Sequence, residues 1–246
     1  MTERSRDAAE MLRAARAGTP IAVLPEALRP TDQAGAYAIQ HAGMAGVAIG
    51  GWKVGAPGPV APCLCAPMPA SGIQASPARI AGGRLRGVEA EVAFRLGADL
   101  PPRGTPYSRA EVIAALATAH PVIEVLEAAY ADLKAVGPLD LLADRIAHGG
   151  FVYGEGVAAW QGLEFAAMTV TQRIGDPEIV RTGNPAGDMI RLVEWLANEG
   201  SVWAGGLRAG QIVTCGSWTG MSWAAAGARV SVDFSGLGAA QAVFAA

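Results

Sequence analysis

Val88-Glu89-Ala90-Glu91-Val92-Ala93-Phe94 is the stretch whose reading decides the fold. Apolar residues alternate with two carboxylates, and alternation marks a strand whose successive side chains point to opposite faces. A strand over Val88–Leu96 therefore carries Glu89 and Glu91 on one face. Like charges on one apolar strand repel and resist desolvation. They need water, basic partners or a metal ion. A third carboxylate, Glu124, lies in Pro121-Val122-Ile123-Glu124-Val125-Leu126, a second short β-branched run. Three carboxylates on rigid strands in apolar surroundings suit a hard divalent cation such as Mg²⁺ or Mn²⁺. On spacing alone, the wet face of an edge strand explains Glu89 and Glu91 equally well.

Outward from these strands, the first 50 residues read as a helical N-terminal segment and 51–246 as the main domain. Ala8, Met11, Leu12 and Ala15 recur at helical spacing, and a second helix after Thr31 carries Tyr37 and Ile39. Ser108 and Glu111 form a capping box. Asn184-Pro185 opens another helix and Gly200 stops it. Strands are expected at Phe151–Val157, Gln211–Thr214, Arg229–Phe234 and Ala239–Phe244. Phe165–Arg173 and Ile179–Arg181 read as a hairpin about Gly175-Asp176-Pro177. Strands outnumber helices and cluster in antiparallel fashion, so the class is α+β, with a mixed curled sheet on which the N-terminal helices pack.

Composition narrows the function. Of 246 residues, 51% are hydrophobic, enough for a sizeable core and too many for a disordered chain. The net charge of −3, with no basic stripe, argues against a nucleic-acid partner. The uncharged run Gln211–Ala228 is punctuated by Gly, Ser and Thr, so it reads as strand and turn rather than a membrane span. Cys63, Cys65 and Cys215 make no disulfide framework, and a lone C-x-C is no zinc site. Met1–Gly18 lacks the apolar core of a secretory signal, which leaves the cytoplasm as the expected compartment.

Further polar candidates lie outside the two acidic strands. Lys53, in Gly50-Gly51-Trp52-Lys53-Val54-Gly55, suits carboxylate binding or proton transfer, or it snorkels at the surface. Thr214–Gly220 is a Gly/Ser/Thr loop that suits a small anion, but it is not a nucleophile elbow. Asp140 and Asp144 share a face of a short helix, and His148 precedes Gly149-Gly150.

These pieces occur in a recognisable order: Ala36–Gln40, Gly51–Gly55, Val88–Phe94, Pro121–Val125, Asp140–Asp144, Gly150–Gly154, Asn184–Gly200, Leu207–Thr214 and Gly236–Gly238. The chain resembles the 2-keto-4-pentenoate hydratase branch of the fumarylacetoacetate hydrolase superfamily. The resemblance implies a β-rich roll in which Glu89, Glu91 and Glu124 hold Mg²⁺ or Mn²⁺. It implies a homo-oligomeric lyase that adds water to a small unsaturated 2-oxo acid through a metal-stabilised enolate. It assigns catalysis to Lys53 and Asp144, and substrate contacts to Ser217 and Thr219; Arg145 and His148, which fall where the chain departs from the family pattern, are further candidates for substrate contact. A 2-oxo-3-hexenedioate decarboxylase is the alternative, followed by an acylpyruvate-type hydrolase and an inactive scaffold subunit. The chain departs from the family pattern at Glu127-Ala128-Ala129 and at Arg145-Ile146-Ala147-His148, segments near the substrate.

Overall fold

A computed structural model describes residues 2–246. Five α-helices are present among the described residues: α1 (Glu3–Ala17), α2 (Gln33–Gly43), α3 (Arg109–Ala115), α4 (Pro138–Ala143) and α5 (Met189–Trp195). Thirteen strands run between and after them. The first six are β1 (Ile49–Gly55), β2 (Leu64–Pro69), β3 (Ile73–Ala75), β4 (Ala78–Ile80), β5 (Gly87–Leu96) and β6 (Leu116–Leu126). The rest are β7 (His148–Tyr153), β8 (Thr169–Ile174), β9 (Glu178–Thr182), β10 (Ile212–Thr214), β11 (Ser222–Trp223), β12 (Arg229–Phe234) and β13 (Gly238–Phe244).

The strands form two sheets, ordered β2-β1-β10-β5-β6-β7-β3 (with β11 on β5) and β4-β13-β12-β8-β9. The class is α+β, and the sheets are mixed. β1–β10, β3–β7 and β4–β13 pair in parallel, so the sheets are less uniformly antiparallel than the sequence suggests. Alternation along β5 then sorts its side chains. Val88, Ala90, Val92 and Phe94 share one buried core with Val230, Val232 and Phe234 of β12 and Ala240, Ala242 and Phe244 of β13. Each large side chain in that core contributes about 1.5–3 kcal/mol by leaving water. The alternate residues Glu89 and Glu91 face away from this core, but not into bulk water. β5 is an interior strand between β10 and β6, which removes the edge-strand reading.

Helices α1 and α2 pack their apolar faces on α4, where Ala8, Leu12, Ala36, Ile39 and Leu142 form a second core. Both helices have side-chain caps: Thr2 with Ser5 at α1, and Asp32 at α2. Capping satisfies backbone donors that a helix start otherwise leaves bare.

Gly50–Gly55 falls within β1. Its Gly51 is required by close packing, because a Cβ there would lie 2.3 Å from the Ile212 carbonyl oxygen on β10. The helix expected from Asn184 starts at Met189 and is capped by Asp188. Asn184 instead closes a turn, its Oδ1 accepting from the Ala186 N–H at 2.8 Å, and Gly187 follows at φ 72°. The strand expected to reach Val157 ends at Tyr153, and Val157 makes only an isolated bridge to Ala119.

Candidate metal centre

Strand register assembles the acidic cluster. β5 and β6 pair antiparallel with Glu89 directly opposite Glu124, and Glu91 lies two residues along on the same face. One carboxylate oxygen from each of Glu89, Glu91 and Glu124 lies within 4.8 Å of the other two. Glu91 and Glu124 are buried, and Glu89 is partly open.

Each carboxylate has different company. Glu124 Oε1 meets the Lys53 Nζ at 2.6 Å and the His148 Nδ1 at 3.0 Å. Burial pushes the Glu124 carboxyl up, but Lys53 and His148 outweigh it and hold it below its usual range. Glu91 accepts from the Thr214 hydroxyl and from the Gly216 N–H. Gly216 reaches that position at φ 82°, where a side chain is disfavoured. Burial and the neighbouring Glu124 and Glu89 drive Glu91 well above the usual carboxylate range. Glu89 is raised for the same reasons, burial first and Glu124 next. Lys53 is buried too. Burial alone would lower it, yet the surrounding carboxylates raise it, so it stands as an ammonium.

Three buried or half-buried carboxyl groups beside one ammonium resist ionising together in a low-dielectric site, which is why Glu89 and Glu91 are pushed up while Glu124, paired with Lys53, is not. Glu124 Oε2 has no hydrogen-bond partner, although it is buried. An all-oxygen donor set with an orphaned carboxylate oxygen suits a hard divalent cation. The residues present therefore fit such an ion.

The cluster lies at the wall of a cavity of about 330 Å³. Lys53, Glu89 and Glu91 form its charged side, and Asn184 and Ser217 add neutral polar groups. Val54, Leu64, Ile146 and Pro185 help to make the remainder apolar. Lys53 is the one cation in that lining. Its Nζ also donates to the Ile146 carbonyl at 3.1 Å. That carbonyl is presented by an unusual turn. Arg145, Ile146 and Ala147 all sit at positive φ, 55°, 52° and 56°. Such a run costs roughly 1–2 kcal/mol per residue for side chains with a Cβ.

The other candidates from the sequence have different neighbours. Asp144 is absent from the cavity lining. Its Oδ1 accepts from the Arg16 Nε at 2.6 Å and its Oδ2 from the Ala129 N–H at 2.8 Å, so each carboxylate oxygen already has a partner. Arg16 also donates to the Asp144 and His148 carbonyls at 2.9 and 2.8 Å. The clamp fixes both ends of the left-handed turn. His148 is buried against Glu124 and does not line the cavity. The Thr219 hydroxyl accepts from the Ala90 N–H at 3.1 Å and donates to Gln172 at 2.9 Å, again outside the lining. Arg145 lies on the far side of the turn, with its Nη1 4.0 Å from the Met44 sulfur. Of the substrate-contact candidates, Ser217 alone reaches the cavity. The departing residue Glu127 serves a loop, its Oε2 accepting from the Leu85 N–H at 3.0 Å.

Sequence reading misses Asn184, the Ile146 carbonyl and Arg16 as parts of the site, and it singles out the Thr214–Gly220 loop without linking Thr214 to Glu91. Arg16 carries no local signal, because its partner Asp144 lies 128 positions away.

No family model matches the chain. A 2-keto-4-pentenoate hydratase of Dechloromonas aromatica is 32% identical over 97% of this chain and 96% of its own length. A 2-hydroxyhexa-2,4-dienoate hydratase of Comamonas testosteroni is 29% identical over 61% of this chain and 56% of its own. Among solved structures, the 4-oxalocrotonate decarboxylase of Pseudomonas putida G7, complexed with magnesium and adipate, superposes with a TM-score of 0.84. It covers 99% of this chain and 98% of its own at 21% identity, a likeness of fold.

Proposed function

The chain belongs to the 2-keto-4-pentenoate hydratase branch of the fumarylacetoacetate hydrolase superfamily, and on that premise we propose a divalent-metal-dependent hydro-lyase acting on a small unsaturated 2-oxo acid. The observation that carries this reading is the convergence of Glu89, Glu91 and Glu124 beside Lys53 at the wall of an otherwise largely apolar cavity. Glu89, Glu91 and Glu124 would hold Mg²⁺ or Mn²⁺. When bound, the ion supplies Lewis acidity toward the 2-oxo and carboxylate oxygens of the substrate.

The chain's own groups supply the rest. Lys53 presents Nζ–H donors and, held as a cation by Glu124, acts as a donor toward substrate oxygen or carbon rather than as a base. The Glu91 carboxylate is oriented by Thr214 and Gly216, so its position does not depend on the ligand. Ser217 offers a hydroxyl to the substrate carboxylate. Asp144 acts at one remove, fixing the turn whose Ile146 carbonyl orients Lys53. Val54, Leu64, Ile146 and Pro185 hold the unsaturated tail and limit the water that reaches it. A dienol substrate ketonises there, and water then adds across the conjugated double bond.

The lining also bears on the alternative. A decarboxylase of 2-oxo-3-hexenedioate must hold a second carboxylate. Among the lining residues no cation besides Lys53 is present, and Lys53 is paired with Glu124. That favours a monocarboxylic substrate.

The same reading extends to a homo-oligomer in the cytoplasm. Exposed Val60, Met221 and Trp223 offer apolar surface for a subunit contact. Three buried free thiols suit a reducing compartment. No helix among the described residues is long and apolar enough to cross a membrane. Residues 1–50 serve 51–246 as a clamp, through Arg16 on Asp144.

Mass spectrometry of products tests the reaction. The protein is incubated with Mg²⁺ or Mn²⁺ and either 2-hydroxypenta-2,4-dienoate or 2-oxo-3-hexenedioate, with a chelator control. A chelator-sensitive gain of one water on the first substrate is expected. Loss of carbon dioxide from the second, with the first untouched, would transfer the assignment to the decarboxylase.

A further inference from the structure

A second cavity, of about 320 Å³, lies on the other side of the left-handed turn, between α1, α2 and the end of α4. Three guanidinium side chains line it: Arg13, Arg16 and Arg145. Arg16 is fully engaged with Asp144 and the backbone at its far end. Arg145 is not. Its Nε is buried without a hydrogen-bond partner, and its Nη1 reaches only the Met44 sulfur, a weak acceptor.

No carboxylate is hydrogen-bonded to Arg145. Asp144 is the one carboxylate lining the cavity, and it is already paired with Arg16 and with the Ala129 N–H, so one negative charge serves two guanidinium groups. A half-buried guanidinium without a counter-ion of its own is costly. Burial, and then the nearby Arg16, push Arg145 down to about 10, which reports the same deficit. The backbone of the turn, at φ 55° for Arg145, fixes where this side chain leaves the chain. An alternative placement would require the strained turn to unwind.

We propose that this second cavity binds a small oxyanion, a phosphate or carboxylate group, on Arg145, with Arg13 at its mouth. The planar guanidinium fork suits bidentate contact with either kind of oxygen pair. Exposed Arg13 adds charge that draws the anion in, and Ala9, Ile39 and Gly43 leave the remaining wall small and uncharged. The site is separate from the acidic cluster. Ile146 lines the first cavity and its neighbour Arg145 lines the second. An anion there would steady the turn that presents the Ile146 carbonyl to Lys53. The inference does not depend on which reaction the first cavity performs.

The test is a titration of inorganic phosphate into the full chain, at ionic strength held constant with sodium chloride. Tm and calorimetric heat are followed together. A saturable rise of about 5 °C is expected at excess phosphate, with one site per chain. Acetate in place of phosphate separates the two sources, since a carboxylate site responds to acetate at similar concentrations. Arg145→Leu removes the guanidinium while keeping an apolar stem, and is no more strained at positive φ than arginine. It should abolish the rise. Arg13→Gln changes an exposed side chain and should weaken phosphate about fivefold; it decides the matter if the Leu variant fails to fold. No saturation with either anion, or an equal rise in the Arg145→Leu protein, would overturn the site. So would a phosphate affinity unchanged in Arg13→Gln. A mass that falls in Arg145→Leu without any anion binding to the parent would assign the cavity to a second copy of the chain instead.

Discussion

Two walls of the first cavity are built in opposite ways. The acidic wall comes from regular interior strands, where pairing register alone puts Glu89, Glu91 and Glu124 within 4.8 Å. The rim at Ile146 comes from the middle of three consecutive left-handed residues, Arg145–Ala147, held by an ion pair from α1. The first wall needs no special backbone. The second stores strain and depends on side chains far apart in sequence. Charge that must stay fixed against repulsion rests on the stiff element, whereas the Ile146 carbonyl that meets Lys53 rests on an element that sequence change reshapes more easily.

The largest effect should come from the strand wall. Glu91→Gln and Glu124→Gln each remove one anionic oxygen donor without changing shape. Each should weaken Mn²⁺ binding by at least about 100-fold, read by electron paramagnetic resonance or calorimetry. Undiminished affinity in both variants would mean that the three carboxylates are a structural cluster. Lys53→Met should leave Mn²⁺ bound while lowering turnover by at least about 100-fold. Turnover that survives in Lys53→Met would demote the lysine to a partner of Glu124 alone.

The clamp behind the rim comes next. Arg16→Met leaves Asp144 buried with one oxygen unpaired, and breaking a buried pair from one side costs about 3 kcal/mol. Urea unfolding should show that loss, with Mn²⁺ affinity changing little because the strand wall is untouched. If stability hardly moves, the turn is held by its own packing. If metal affinity collapses with it, the two walls are one cooperative unit.

How much of this the sequence shows follows the same division. The alternation of Val88–Phe94 places both carboxylates on one face, and the β-branched run around Glu124 supplies the third. Period-two patterning is local, so the acidic wall is legible. The order of motifs then implies the family. The rim is not legible. Asp144 is a catalytic candidate through the resemblance, but nothing local in the sequence announces that Arg16 pairs with it from 128 residues away. His148 reads as a substrate contact, and the register of β7 against β6 buries it on Glu124 instead. Arg145-Ile146-Ala147 gives no warning of positive φ, since none is Gly or Asn. Asn184-Pro185 carries a genuine helix-start signal, but positive φ at Gly187 moves the cap to Asp188.

The smallest expected effect is the sharpest test of the contrast. Ala90 and Ala147 are both buried alanines, at 0% and 7% exposure, one in the strand wall and one in the turn. Replacing Ala90 with glycine removes a packed methyl and loosens an extended backbone, which should cost about 1–2 kcal/mol. Replacing Ala147 with glycine also loses a methyl, but it relieves a Cβ held at φ 56°. The relief is roughly 1–2 kcal/mol, so gain and loss offset, and the net change should fall within about 1 kcal/mol of zero. The midpoint of urea unfolding, at an unchanged m-value, reads both directly. Equal losses at the two positions would show that the turn carries no strain. Its left-handed residues would then be an ordinary consequence of packing rather than a spring held by Arg16.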